Sequence, residues 1–188
     1  MNHEEIQGYI SEYLKEEKTT LSIKNYKLEE SESGASVGID LLVNGDLVQL
    51  TGSGVGLVDA AYDSLICYFQ EEYTSLSTIE LTDAYFNTDI RNTDNIGQNR
   101  KSRMAIVLEF KNASKNSSSF RSKTRSVSYT VVSALVQAFE FYINCESLFK
   151  RLRFLLQDAQ SRNRSDVAGM YQYILTKIVK VTNYRCVL

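Results

Sequence analysis

The sequence predicts an α+β fold made of two pseudo-symmetric β-β-β-α units, with an added helix at the N-terminus and a helical hairpin at the C-terminus. Three observations carry that expectation. Val37, Ile39, Leu41 and Val43 alternate strictly before Asn44-Gly45-Asp46, and Asn-Gly between apolar runs is a strong hairpin signal. The return strand then runs through Gly54-Val55-Gly56 directly into an amphipathic helix. Finally, the same order of patterns recurs between residues 74 and 145.

Taken in order, Ile6, Tyr9, Ile10, Tyr13 and Leu14 share one helical face, which predicts a helix over 3–17 ending in the charged run Lys15-Glu16-Glu17-Lys18. Strands are expected at 21–28, 36–43 and 47–51. A helix over 57–72 follows, with Val58, Ala61, Tyr62, Leu65, Ile66 and Phe69 inward. The second unit begins with a β-rich run at 76–88 and a polar loop at 89–101. Met104, Ile106, Leu108 and Phe110 alternate as a strand, a turn is expected at 112–119, and a polar strand at 120–126. A helix over 128–145 turns Val131, Val132, Leu135, Ala138, Phe139 and Tyr142 inward. Two further helices are expected, one over 146–158 and one starting at Ser165-Asp166, joined by the polar turn 160–164. The division is therefore 1–18 for the N-terminal helix, 19–145 for the duplicated domain with units 19–73 and 74–145, and 146–188 for the hairpin.

With 188 residues, 43% hydrophobic and 23% charged, the chain suits one main globular core. It has no apolar run of membrane-spanning length and no signal-peptide pattern at its start, so a cytoplasmic, non-membrane protein is expected. Met1 suits a free-standing protein. Cys67, Cys145 and Cys186 are odd in number and widely spaced, which points to reduced thiols rather than disulfides or a metal site.

Charge is distributed unevenly. Residues 1–99 hold 5 Lys/Arg against 18 Asp/Glu, while residues 100–188 hold 16 against 5. Such an asymmetry suits complementary surfaces within one molecule or across a dimer, or a basic arm for nucleic acid. Arg100, Lys101, Arg103, Lys111, Lys115, Arg121, Lys123 and Arg125 form a basic belt near Phe110 and Phe120. An overall pI near 5.6 argues against nucleic acid, and strand alternation places Phe110 in the core with the cations solvated.

Catalytic chemistry finds little to work with. The only histidine is His3, so neither a histidine-held divalent metal nor a Ser-His-Asp or Cys-His nucleophile is expected, and no cofactor is expected. The glycines of 54–56 lack the Gly-Lys-Ser/Thr that would complete a phosphate loop. Asp59 and Asp63, four apart on one helical face, are read as a complement to the helix N-terminus and a solvated carboxylate. The turn itself has two readings: a tight strand-to-helix connection, or a site where unpaired first-turn N–H groups hold a carboxylate.

The sequence Gly54-Val55-Gly56-Leu57-Val58-Asp59-Ala60 resembles a motif in the C-terminal regulatory domain of the 2-isopropylmalate synthase, citramalate synthase and homocitrate synthase family, typically Gly-x-Gly-Pro-Val-Asp-Ala. Leu57 stands in the place of the proline. In the second unit, Ser126-Val127-Ser128-Tyr129-Thr130 and Ala134 resemble that family's Gly-Val-Ser turn, with Ser126 for its glycine, Thr130 for its usual Asn or Asp, and Leu135 for its small serine. The resemblance covers about residues 19–144 and leaves out the helical tail. It implies a non-catalytic regulatory domain that forms a homodimer and binds leucine or a related branched-chain amino or keto acid. The effector residues it implies are Gly54, Val55, Gly56, Leu57, Val58, Asp59, Ala60, Ser126, Val127, Ser128 and Thr130. A synthase enzyme is the implied partner. The other reading is a structural or interaction module that keeps the fold without the ligand.

Overall fold

The computed structural model describes residues 3–89 and 103–182. The expected α+β architecture is present. Helix α1 (His3–Tyr13) precedes β1 (Leu21–Ser31), β2 (Gly34–Val43), β3 (Asp46–Gly54) and α2 (Leu57–Phe69). Then follow β4 (Ile79–Asp89), β5 (Arg103–Asn112), β6 (Ser117–Thr124), α3 (Val127–Ser161) and α4 (Ser165–Thr182). The strands form two antiparallel sheets, each in sequential order. The loop expected at 89–101 lies almost wholly outside the described residues. Among the described residues no helix is long and apolar enough to cross a membrane.

The duplication extends to an irregularity. The first hairpin slips register between Ile23 and Asn25, and the second slips between Leu81 and Asp83, at the corresponding place. Each slip leaves one residue unopposed and turns the strand that follows. The Asn44-Gly45 turn takes positive φ at both residues, 53° and 95°, as a tight two-residue hairpin requires.

Three elements differ from expectation. Helix α1 ends at Tyr13, because Leu14 is the last residue with a face to bury; Lys15 adopts φ 48° and a short 3₁₀ turn carries the charged run away. Strand β3 continues to Gly54 because Gly52 and Gly54 let the α2 backbone approach. A Cβ on Gly52 would meet the Ala60 carbonyl at 2.3 Å, and one on Gly54 would meet the Ala60 nitrogen at 2.6 Å.

The largest difference is in the C-terminal half. The helices expected at 128–145 and 146–158 are one continuous helix, α3, of 35 residues. Nothing in Asn144-Cys145-Glu146-Ser147 breaks it, since no glycine or proline is present. The polar residues there serve other segments. Asn144 Oδ1 accepts from the Thr19 amide at 2.9 Å and its Nδ2 donates to the Thr19 carbonyl at 2.8 Å. Glu140 accepts the Leu21 amide at 2.8 Å, and Glu146 accepts the Ser75 amide at 3.0 Å. The helical hairpin is therefore the second half of α3 turning through Asn163, at φ 53°, into α4.

Helices α2 and α3 pack on one another, and each touches both sheets. Tyr62 of α2 donates to the Ile79 carbonyl at 3.0 Å, while Tyr26 of β1 bonds Ser128 of α3 at 2.8 Å. A single apolar cluster runs through both units and out to Ile6, Ile10, Ile174 and Ile178. Helix α4 is tied in at its end: Asn112 Nδ2 donates to the carbonyls of Lys180 and Val181 at 2.8 and 3.0 Å. The other oxygen of the same amide closes the β5–β6 turn by accepting from Ser114 and Asn116.

Two stability predictions follow from these contacts. Gly52→Ala is expected to cost about 3 kcal/mol or more, because the new methyl meets backbone rather than a movable side chain; a urea melt measures it. Burial raises the Glu146 carboxyl, but hydrogen bonds from Lys150 and Ser75 outweigh it and hold the group below its ordinary 4.5. Its contribution is then complete above that pH and is lost as pH falls through the depressed native value. Glu146→Gln should lose about 2 kcal/mol at pH 7, with the gap to the unaltered protein closing on acidification in melts stepped towards pH 3.

Candidate functional site

The two glycine- and serine-bearing turns meet at one end of the molecule. Between them lies a cleft of about 540 Å³, lined by Leu28 and Glu30 of β1, Gly56 to Asp59, Phe86 of β4, and Val127 and Ser128. Its walls are related by the internal duplication. Leu28 and Phe86 stand at the same distance past their register slips, and Leu57 and Val127 are the first residues of their helices, followed by Val58 and Ser128. The cleft therefore sits on the pseudo-two-fold between the units.

The two helix starts differ in how their free N–H groups are treated. Helix α2 is capped by Gly56, which lies in extended backbone at φ −151° and offers no side-chain acceptor. A Cβ there would meet nothing within 4 Å, so this glycine leaves open space at the cleft. Helix α3 is capped by Ser126, whose Oγ accepts from the Tyr129 amide at 3.3 Å. Around it, Thr124 and Thr130 hydroxyls lie 2.6 Å apart and Thr130 also reaches the Ser126 carbonyl. The first turn thus keeps donors available where the second supplies its own acceptor.

Of the residues expected to form an effector site, Gly56, Leu57, Val58, Asp59, Val127 and Ser128 line the cleft together. The others have different positions. Gly54 and Ala60 form the close contact between β3 and α2. Ser126 serves as the cap, and Thr130 is buried in its hydroxyl network. Val55 projects outward at 90% exposure beside the cleft rather than into it. Leu57 is a wall and does not fill the gap, while the Tyr129 ring leans towards Tyr26, with centroids 6.1 Å apart.

Leu28, Glu30 and Phe86 were not anticipated. The signal existed for two of them, because Leu28 and Phe86 are late inward-facing residues of the equivalent strands β1 and β4 and become neighbours once the units are superposed. Glu30 gives no such signal. It and Asp59 are the charged residues lining the cleft, and both are acidic.

Elsewhere, the reading of Asp63 as solvated needs adjustment, since its Oδ2 accepts the Ser53 amide at 3.2 Å. Phe110 and Phe120 are buried against Tyr142, so neither offers a face for base stacking. Arg100 and Lys101 of the basic belt lie outside the described residues, as does Cys186. Burial pushes the thiols of Cys67 and Cys145 up, with the Asp63 carboxylate adding to the effect at Cys67. His3 is stacked on Phe120 and Phe141 at 4.9 and 4.7 Å, and burial pushes its imidazole down. No group of three or more metal-ligating side chains occurs among the described residues.

No protein-family model matches the chain, and no curated protein is significantly similar to it.

The difference between the two caps is measurable. Ser126→Ala should cost about 1 kcal/mol by thermal melting, whereas Ser126→Gly should cost only a few tenths.

Proposed function

We propose that this protein is a non-catalytic regulatory module that binds a small branched-chain amino acid in the cleft between the two turns and works as a homodimer. The observation that carries the reading is the open cleft itself, in the size range of small-ligand sites, with apolar walls of Leu28, Leu57, Val58, Phe86 and Val127. The uncapped start of α2 offers N–H groups for an α-carboxylate. Glu30 and Asp59 favour a ligand that also carries an ammonium group, because a keto acid would bring an anion to two carboxylates without a cation in the lining. The resemblance of Gly54 to Ala60 to the leucine-responsive synthase domains points the same way, and a synthase enzyme is the partner it suggests.

A second reading has its own support. Val55 is 90% exposed and Phe86, Val127 and Tyr129 are also exposed around the cleft, so this end could instead dock a protein segment. In that case the fold is retained without a small effector.

Isothermal titration with leucine, isoleucine, valine and their three keto acids separates the two. Binding of at least one amino acid, about tenfold tighter than its keto acid, is expected, and Asp59→Asn should shrink that preference. No heat and no change in melting temperature with any of the six would sink the ligand reading.

A further inference from the structure

We propose that the outer face of the second sheet is the surface on which a second copy of this chain docks, sheet against sheet. The inference locates the dimer of the preceding reading and is independent of the ligand. On this face the register aligns Tyr85 with Val107 and Arg121 across the three strands; Asp83 with Glu109 and Ser119 forms the next row, and Asn87 with Ala105 and Lys123 the row on the other side. The edge strand β4 presents exposed Glu80 and Asp83, and the opposite edge, β6, presents exposed Arg121 and Lys123. Between them Val107 is half-buried, and beside it Tyr85 is 50% exposed.

An acidic edge, an apolar middle and a basic edge make a face complementary to itself under only one kind of two-fold axis. An axis perpendicular to the strands would set β4 over β4 and bring like charges together. An axis parallel to the strands over β5 sets β4 of one copy over β6 of the other. Arg121 then meets the partner's Tyr85 ring, with the partner's Asp83 one row away, and Val107 meets its own copy on the axis. An aromatic face beneath a guanidinium is favourable in addition to the charge pairing.

The first sheet lacks this polarity. Its outward charges are matched locally, with Lys27 on Glu29 at 2.6 Å and Gln49 donating to Asp40 at 3.2 Å. On the second sheet Asp83 and Arg121 are on strands two apart, about 10 Å, too far to pair within one chain. Three strands of this length present about 450 Å² per copy, near the low end for specific interfaces, so the dimer should be reversible and sensitive to salt.

The test is analytical ultracentrifugation of the full chain without ligand, at concentrations up to about 1 mM, for the unaltered protein, Asp83→Arg, Arg121→Asp and the double swap. Both residues are exposed, so thermal melts check that folding is retained. The expected result is a dimer whose Kd rises about tenfold or more in each single variant and returns to within about threefold of the original in the swap. A dimer unmoved by the single reversals overturns this face while leaving the dimeric reading intact. A chain that stays monomeric throughout overturns both, and neither outcome bears on amino-acid binding.

Discussion

Between Glu140 and Glu146 the long helix α3 gives three polar side chains to backbone that belongs to other elements, and the placement of both units depends on them. Glu140 and Asn144 take up the amides of Leu21 and Thr19 where the first sheet begins, and Glu146 takes up the Ser75 amide at the turn leading into the second. Asn144 and Glu146 are each only 1% exposed. Buried groups of this kind must be satisfied, and here each is satisfied by a segment distant in sequence. A helix broken at residue 145 could not hold both units in one frame. Its continuity is what turns two similar halves into one core.

Within that frame the pseudo-symmetry is imperfect in an informative way. Apolar positions lining the cleft come in matched pairs, whereas the polar positions do not. Gly56 leaves the start of α2 open, and Ser126 closes the start of α3 from within. Asp59 occupies the place of Tyr129, whose ring leans on the first sheet. Any occupant of the cleft would therefore meet an apolar environment from both halves and a polar, acidic one from the first half alone. The asymmetry gives a duplicated surface a direction.

Most of the architecture could be read from local pattern, because strand alternation, the Asn44-Gly45 turn and the helical faces each depend on residues near in sequence. What could not be read depended on distant partners. Asn144 and Glu146 resemble punctuation in a helix until Thr19 and Ser75 are seen beside them. Gly52 is invisible as a contact until α2 is placed on β3. At the cleft, the two turns were legible as a pair, but the glycines divide their work differently from their spacing: Gly54 accommodates the helix and Gly56 leaves the space. Glu30 joins the site only through the pairing of β1 across the molecule, which no local pattern encodes.

The Asn112 side chain joins two structures that are almost seventy residues apart in the chain. Its carbonyl oxygen shapes the β5–β6 turn and its amide nitrogen takes up carbonyls in the last turn of α4. Opening the hairpin would release the helix end, and fraying of the helix would leave the hairpin amide unpaired. In terms of native-state fluctuations, the two belong to one cooperative unit and should open together. Helix ends ordinarily fray independently of the rest of a domain, and here the end of α4 is made part of the second sheet.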